Sequence, residues 1–168
     1  KSYDGEEDIL VPSIREVNGK PIHGYDEIPE MKSVEIADEV LRQIEKGTDF
    51  IFVNFPNADM VGHTGDEEAI VKAIEAVDLA LSRIIPALLA KGGVAFITAD
   101  HGNAEVNIEP SSGLKHTSHT LNPVPAILTK EGVELKDGGL SDVAPTILSL
   151  MDIDQPKEMT GKNLIMVK

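Results

Sequence analysis

Two short runs of β-forming residues, DFIFVNF (49–55) and VAFITA (94–99), constrain this chain more than anything else in it. Neither alternates apolar with polar, so each reads as a strand covered on both faces, the habit of a parallel sheet lying under helices. Between them, from about 66 to 91, Ile70, Ala73, Ile74, Val77, Leu81, Ile84 and Leu88 recur at helical spacing. A strand, a long crossover helix and a second strand form the unit from which α/β folds are built.

The remaining pattern extends this alternation. Residues 1–32 are rich in turn formers and read as edge strands and loops. Val34, Ala37, Val40, Leu41 and Ile44 predict a helix with Ser33 as its N-cap and Gly47 as its stop. The long helix begins with Asp66, Glu67 and Glu68, acids suited to a positive dipole end. Pro86 predicts a kink or break in it, and Gly92 and Gly93 end it. PVPAILT (123–129) reads as a strand, SDVAPTILSLMDI (141–153) as a helix capped by Ser141, and the tail as a turn with a short extended piece. The expected fold is α/β, a mostly parallel sheet flanked by helices. A length of 168 residues suits one domain.

Composition narrows the functional classes. Aromatics are 4% and tryptophan is absent, so the core is aliphatic. Fifteen basic against 29 acidic residues give a net charge of −14, which repels phosphate backbones and anionic lipid. Nucleic acid and membrane are therefore not expected partners, and an anionic substrate would need a local cation. Without cysteine, thiolate chemistry and disulfides are excluded, and a cytoplasmic location fits. No apolar run reaches the ~20 residues of a membrane span.

Binding sites in open α/β sheets gather beyond the carboxyl ends of strands. NADMVGHTG (57–65) follows the first run and supplies Asp59 and His63; DHGNAE (100–105) follows the second and supplies Asp100 and His101. HTSHT (116–120), with His116 and His119, leads into the third. Four of the five histidines lie in these loops, and His23 reads as a surface residue. Mixed carboxylate and imidazole donors suit Mn²⁺, Zn²⁺ or Fe²⁺ better than Mg²⁺ or Ca²⁺. Asp59 and His63, four apart, fall on one side of a helical turn. Either motif alone is weak, since Asp-x-x-x-His is commonly a helix-end charge beside a surface imidazole, and DHG is commonly a turn. Three such loops point to a bimetallic centre short of some ligands, of the kind that serves phosphoryl transfer. Asn103 and Glu105 are either outer partners of these ligands or plain loop polars. The glycine pairs match neither a Walker loop nor GxGxxG.

Taken together, NADMVGHTG, ITADHGNAE, HTSHTLNPVPAIL and SDVAPTILSLMDIDQPKEMTGKNL resemble the cofactor-independent (2,3-bisphosphoglycerate-independent) phosphoglycerate mutase family of the alkaline phosphatase superfamily. ILVPSIREVNGKPIHGYDEIPEM (9–31) resembles it with substitutions and an apparent insertion near 18–20. The resemblance implies an alkaline-phosphatase-like fold and one metal held by Asp59, His63 and His119, with Asp100 and His101 on a second. His119 matches the family position just before TLNPVP, so it is preferred to His116. It implies two divalent ions, Mn with Zn, Fe or Co as alternatives, and glycolytic interconversion of 3- and 2-phosphoglycerate through a phosphoserine.

Family members are longer. The resemblance implies that residues 1–168 correspond to the C-terminal portion of the phosphatase domain, with the nucleophilic serine and the transferase domain outside. Ser118, between two histidines, reads as a loop hydroxyl. The expectation is therefore a chain inactive alone, from a monomeric parent, that associates through exposed edge strands. Related alternatives are a metal-dependent phosphomonoesterase, a phosphopentomutase or sulfatase, and a noncatalytic metal-binding module.

Overall fold

In the computed structural model, residues 16, 17 and 20–167 are described. They divide into two compact units, one comprising the described residues up to Lys91 with Asn103–Thr120, the other Gly92–Gly102 with the described residues from Leu121 onward. Expectations for residues 1–15, 18, 19 and 168 lie outside the described residues.

The first unit contains a small antiparallel pair, β1 (Glu16–Val17) with β2 (Lys20–Pro21), and three helices: α1 (Ser33–Lys46), α2 (Asn57–Gly62) and α3 (Glu67–Ala90). Helix α1 lies on α3 through Ala37, Val40, Ile44, Ala80 and Ile84, with Ile51, Phe55 and Leu88 packed around them. A second cluster, Val61, Ala69, Ile70 and Ala73, seats α2 on α3 and includes Ala104 at its edge. Burying a Val or Ile side chain contributes about 1.5–3 kcal/mol. These clusters hold the helices together.

Several local expectations change. Ser33 is not the N-cap of α1; its buried hydroxyl donates to Asn57 Oδ1 at 3.1 Å. Asn57 in turn donates to the carbonyls of Pro29 and Glu30, at 2.8 and 3.0 Å. A buried polar side chain needs such partners, and here they anchor the first residue of α2. Val34 and Ile74 are exposed, because Ser33 takes the inward position in the first turn of α1 and Ala80 completes the inward line of α3. Helix α3 continues through Pro86 without a break, with Ile84, Ile85 and Leu88 fastened to the core on both sides. Gly47 does end α1, in the left-handed conformation at φ 79°.

The run 49–55 also differs. Among the described residues it has no ladder partner and is not a regular strand. Ile51 and Phe55 face the core while Phe52 is 84% exposed, so only one face is covered.

The second unit holds β3 (Phe96–Thr98) antiparallel to β4 (Ala126–Leu128), and β5 (Val133–Leu135) antiparallel to β6 (Ile165–Val167). Thr129 extends the first pair, its N–H reaching the Ala95 carbonyl at 3.0 Å and its hydroxyl accepting from Ala95 N–H at 2.8 Å. Helix α4 (Val143–Leu150) follows a 3₁₀ turn, with Pro145 tolerated in its first turn. Ser141 does not cap it; Asp142 stands at the cap position and its carboxylate reaches back to Gly139 N–H at 2.9 Å. The class is α/β as expected. The parallel ladder is not seen among the described residues, where all three strand pairs are antiparallel. Pairing with β4 occupies one edge of β3, and an apolar run does not itself fix the direction of the strand that takes that edge.

Candidate metal centre

Helix α2 is little more than one turn, and its geometry places Asp59 and His63 on the same side. The His63 N–H donates to the Asp59 carbonyl at 3.1 Å, the ordinary helical bond between residues four apart. Their side chains meet as well, with His63 Nε2 3.1 Å from Asp59 Oδ1.

A hairpin-like loop brings the third group. Its arms are tied by Glu109 N–H to the Leu114 carbonyl at 2.8 Å and His116 N–H to the Asn107 carbonyl at 2.9 Å. His116 belongs to that scaffold: its Nδ1 lies 3.1 Å from the Val106 carbonyl. The chain then continues to His119, whose Nε2 is 3.0 Å from Asp59 Oδ1 and 3.2 Å from His63 Nε2. Gly65, at φ 61°, makes this approach possible, because a Cβ there would press within 3.2 Å of Lys115 and Thr117 side-chain atoms.

Three donor atoms thus form a nearly equilateral triangle with edges of 3.0 to 3.2 Å. Donors about 2.1 Å from a common ion are separated by roughly 3.0 Å at right-angle positions and 3.4 Å at tetrahedral ones. The triangle fits one face of either polyhedron.

Its proton inventory points the same way. His63 Nδ1 is 2.7 Å from the Thr117 carbonyl, which can only accept, so that nitrogen carries hydrogen. Neutral His63 then aims a bare Nε2 lone pair at a carboxylate oxygen. Two lone pairs facing at that distance need a proton or a cation between them. The side chains are 35 to 50% exposed, leaving the outer side open to further ligands.

Asn103 supports Asp59 from behind. Its Nδ2 donates to Asp59 Oδ1 at 2.9 Å and to the Asp59 carbonyl at 3.2 Å. Its own Oδ1 is buried and has no hydrogen-bond partner among the described residues, a cost of about 1–3 kcal/mol. Gly62 leaves room for that amide, since a Cβ would lie 2.5 Å from Asn103 Oδ1. The neighbouring Glu105 carboxylate accepts from Asn103 N–H at 2.7 Å and from the Thr120 hydroxyl.

In the second unit, Asp100 and His101 follow β3 directly. His101 Nε2 lies 3.6 Å from Asp100 Oδ1, and the Asp100 side chain is largely exposed. His23 is exposed, as expected, as is Ser118. Thr117 escaped the sequence reading altogether, because it acts through a backbone carbonyl that no residue type announces. Thr120 also went unread, although it lies within HTSHT, and Gly62 within NADMVGHTG reads from the sequence only as a turn former.

Over 98% of its length the chain is 52% identical to the 2,3-bisphosphoglycerate-independent phosphoglycerate mutase of Roseobacter denitrificans, covering 32% of that relative. It is also 52% identical over 98% of its length to 2,3-bisphosphoglycerate-independent phosphoglycerate mutase 2 of Methanosarcina barkeri, covering 31% of it. The chain therefore spans about a third of the length of the curated relatives it matches. A crystal structure of Leishmania mexicana phosphoglycerate mutase at low cobalt concentration superposes with a TM-score of 0.81 at 32% identity, over 94% of this chain and 31% of that one. The metalloenzyme superfamily model matches residues 2–155, and with that match the converging carboxylate and imidazoles have a family setting: the chain belongs to the metalloenzyme superfamily.

Proposed function

We propose that this chain is the C-terminal portion of the metal-binding phosphatase domain of a cofactor-independent phosphoglycerate mutase, an isomerase that interconverts 3- and 2-phosphoglycerate. The carrying observation is the donor triangle of Asp59, His63 and His119, with edges of 3.0 to 3.2 Å, in a chain half identical to such mutases. Asp59 would give one anionic oxygen to a divalent ion, manganese by preference, and the two imidazoles would each give Nε2. Asp100 and His101 would serve a second ion. When bound, such ions neutralise phosphoryl charge and lower the pKa of an attacking hydroxyl.

The chain's own residues do the holding. Thr117 keeps the His63 tautomer that frees Nε2. The loop 107–116 delivers His119, and the short α2 turn aligns Asp59 with His63. On this reading the nucleophilic serine and the groups that hold glycerate lie outside these residues, so the purified chain binds metal without turnover. The substrate is a phosphoglycerate, the setting glycolytic and cytoplasmic, and the parent a monomer. No described helix is long and apolar enough to cross a membrane.

Calorimetric titration with Mn²⁺, run beside His63→Ala, tests the reading. About one ion bound to the chain and lost in the variant is the expected result. An unchanged isotherm in His63→Ala would remove the triangle from the proposal. Interconversion of phosphoglycerates by the chain alone would remove the assignment of the nucleophile elsewhere.

A further inference from the structure

We infer that Asn103 and Glu105 are positioning residues that fix the ligand geometry of the triangle, joining Asp59 to His119 through hydrogen bonds and the 119–120 peptide link. The inference rests on the metal reading above. It begins with the Asn103 amide, which is 5% exposed. Nδ2 faces two acceptors, Asp59 Oδ1 and the Asp59 carbonyl, so the opposite amide orientation would set oxygen against oxygen.

The chosen orientation leaves Asn103 Oδ1 buried and, among the described residues, unpaired. Stability alone does not favour that: an apolar residue of the same size would fill the space without an orphaned acceptor. What the amide achieves is directional. The oxygen it grips is the one that faces both imidazoles, at 3.0 and 3.1 Å. Asn103 thus sets the rotation of the Asp59 carboxylate. Gly62 keeps the α2 surface bare where the amide lies.

Glu105 extends the hold to the other side. One carboxylate oxygen takes the Asn103 backbone N–H at 2.7 Å, and the other takes the hydroxyl of Thr120, the residue after His119. The path runs Asp59, Asn103, Glu105, Thr120, then through the peptide link to His119 and back to Asp59. Outer partners of this kind commonly change metal affinity by roughly 10–100-fold when removed.

The test compares Mn²⁺ affinity, the Co²⁺ visible absorption at saturation and the unfolding temperature of the metal-free full chain, for wild type, Asn103→Leu and Thr120→Val. In Asn103→Leu we expect Mn²⁺ affinity to fall roughly 10–100-fold. Its Co²⁺ band should change, while metal-free unfolding stays level or moves up because the orphaned acceptor is gone. Thr120→Val, nearly isosteric, should weaken binding in the same direction through His119. Affinity within threefold of wild type in both variants would overturn the inference while leaving the metal reading intact. So would weakened binding with an unchanged Co²⁺ band and a lowered metal-free unfolding temperature, the mark of a merely structural role. Absence of binding in wild type would instead overturn the metal reading beneath it, and the inference with it.

Discussion

The two units are held by different forces. Among the described residues, every buried apolar side chain except Pro145 and Leu164 belongs to the first unit. That unit is an aliphatic helix pair, α1 on α3, with the donor triangle seated on the adjoining cluster of Val61, Ala69, Ile70 and Ala73. The second unit relies on polar ties. Buried Thr146 donates to the Asp142 carbonyl at 2.7 Å and accepts from Leu164 N–H at 2.9 Å. Asp142 accepts from Gly139 N–H at 2.9 Å and Lys162 N–H at 2.7 Å. Non-directional packing tolerates small shifts, while a hydrogen-bonded knot fails at the loss of one atom. The triangle sits on the packed side and is itself trimmed by hydrogen bonds.

The largest effect should follow an attack on the packing. Ile84→Ala empties the α1–α3 contact and is expected to destabilise the first unit by about 2–5 kcal/mol. Hydrogen exchange would show it as lost amide protection across α1 and α3, and unchanged protection there would refute the assignment of this cluster as the core. Thr146→Val is the matching attack on the other unit. It keeps the shape but strands the buried Leu164 N–H, at a cost of about 1–3 kcal/mol. Its signature is faster exchange at Leu164 and in β6, with α1 and α3 untouched. Equal loss in both units from either variant would erase the distinction between them.

Much of this was legible because periodicity and loop chemistry agreed. The helix at 33–46 and the long helix after Asp66 follow from apolar spacing, and Ala37, Val40, Ile44, Ile84 and Leu88 of their shared core are residues that the spacing names. Val34 and Ile74 are instead exposed, Leu41, Val77 and Leu81 are half-buried outside it, and Ala80 went unnamed. Asp59 and His63 on one turn follow from a four-residue interval. Ladder direction was not legible. A continuous apolar run says that a segment is to be covered, and leaves open which neighbour covers it, so β3 with β4 emerged antiparallel and 49–55 emerged without a ladder partner among the described residues. Cap assignments failed at Ser33 and Ser141 for a related reason. A serine at a helix start will serve a tertiary partner when one is near, as Asn57 is for Ser33. Spacing alone did not separate His119 from His116, since both precede a threonine; the preference for His119 came from its place before TLNPVP, and in the structure His116 meets the Val106 carbonyl while His119 faces Asp59.

The smallest expected effect, and the finest test of the polar side, concerns Asp142. The backbone N–H groups of Gly139 and Lys162 donate to its oxygens and hold its carboxyl below the usual aspartate range. The folded pKa is therefore lower than the unfolded one, near 3.9. With that sign, the ionised group favours the folded state at and above the unfolded value, and the benefit is lost as pH falls through the folded value. Asp142→Asn cannot ionise and should remove this part of the acid sensitivity. Exchange at the Lys162 amide, followed from about pH 5 downward, should accelerate relative to α1 amides in wild type and run parallel to them in the variant. Identical pH slopes in the two proteins would mean that the Asp142 knot carries no charge-dependent stability, and the second unit would then owe its cohesion to Thr146 and its strand pairs alone.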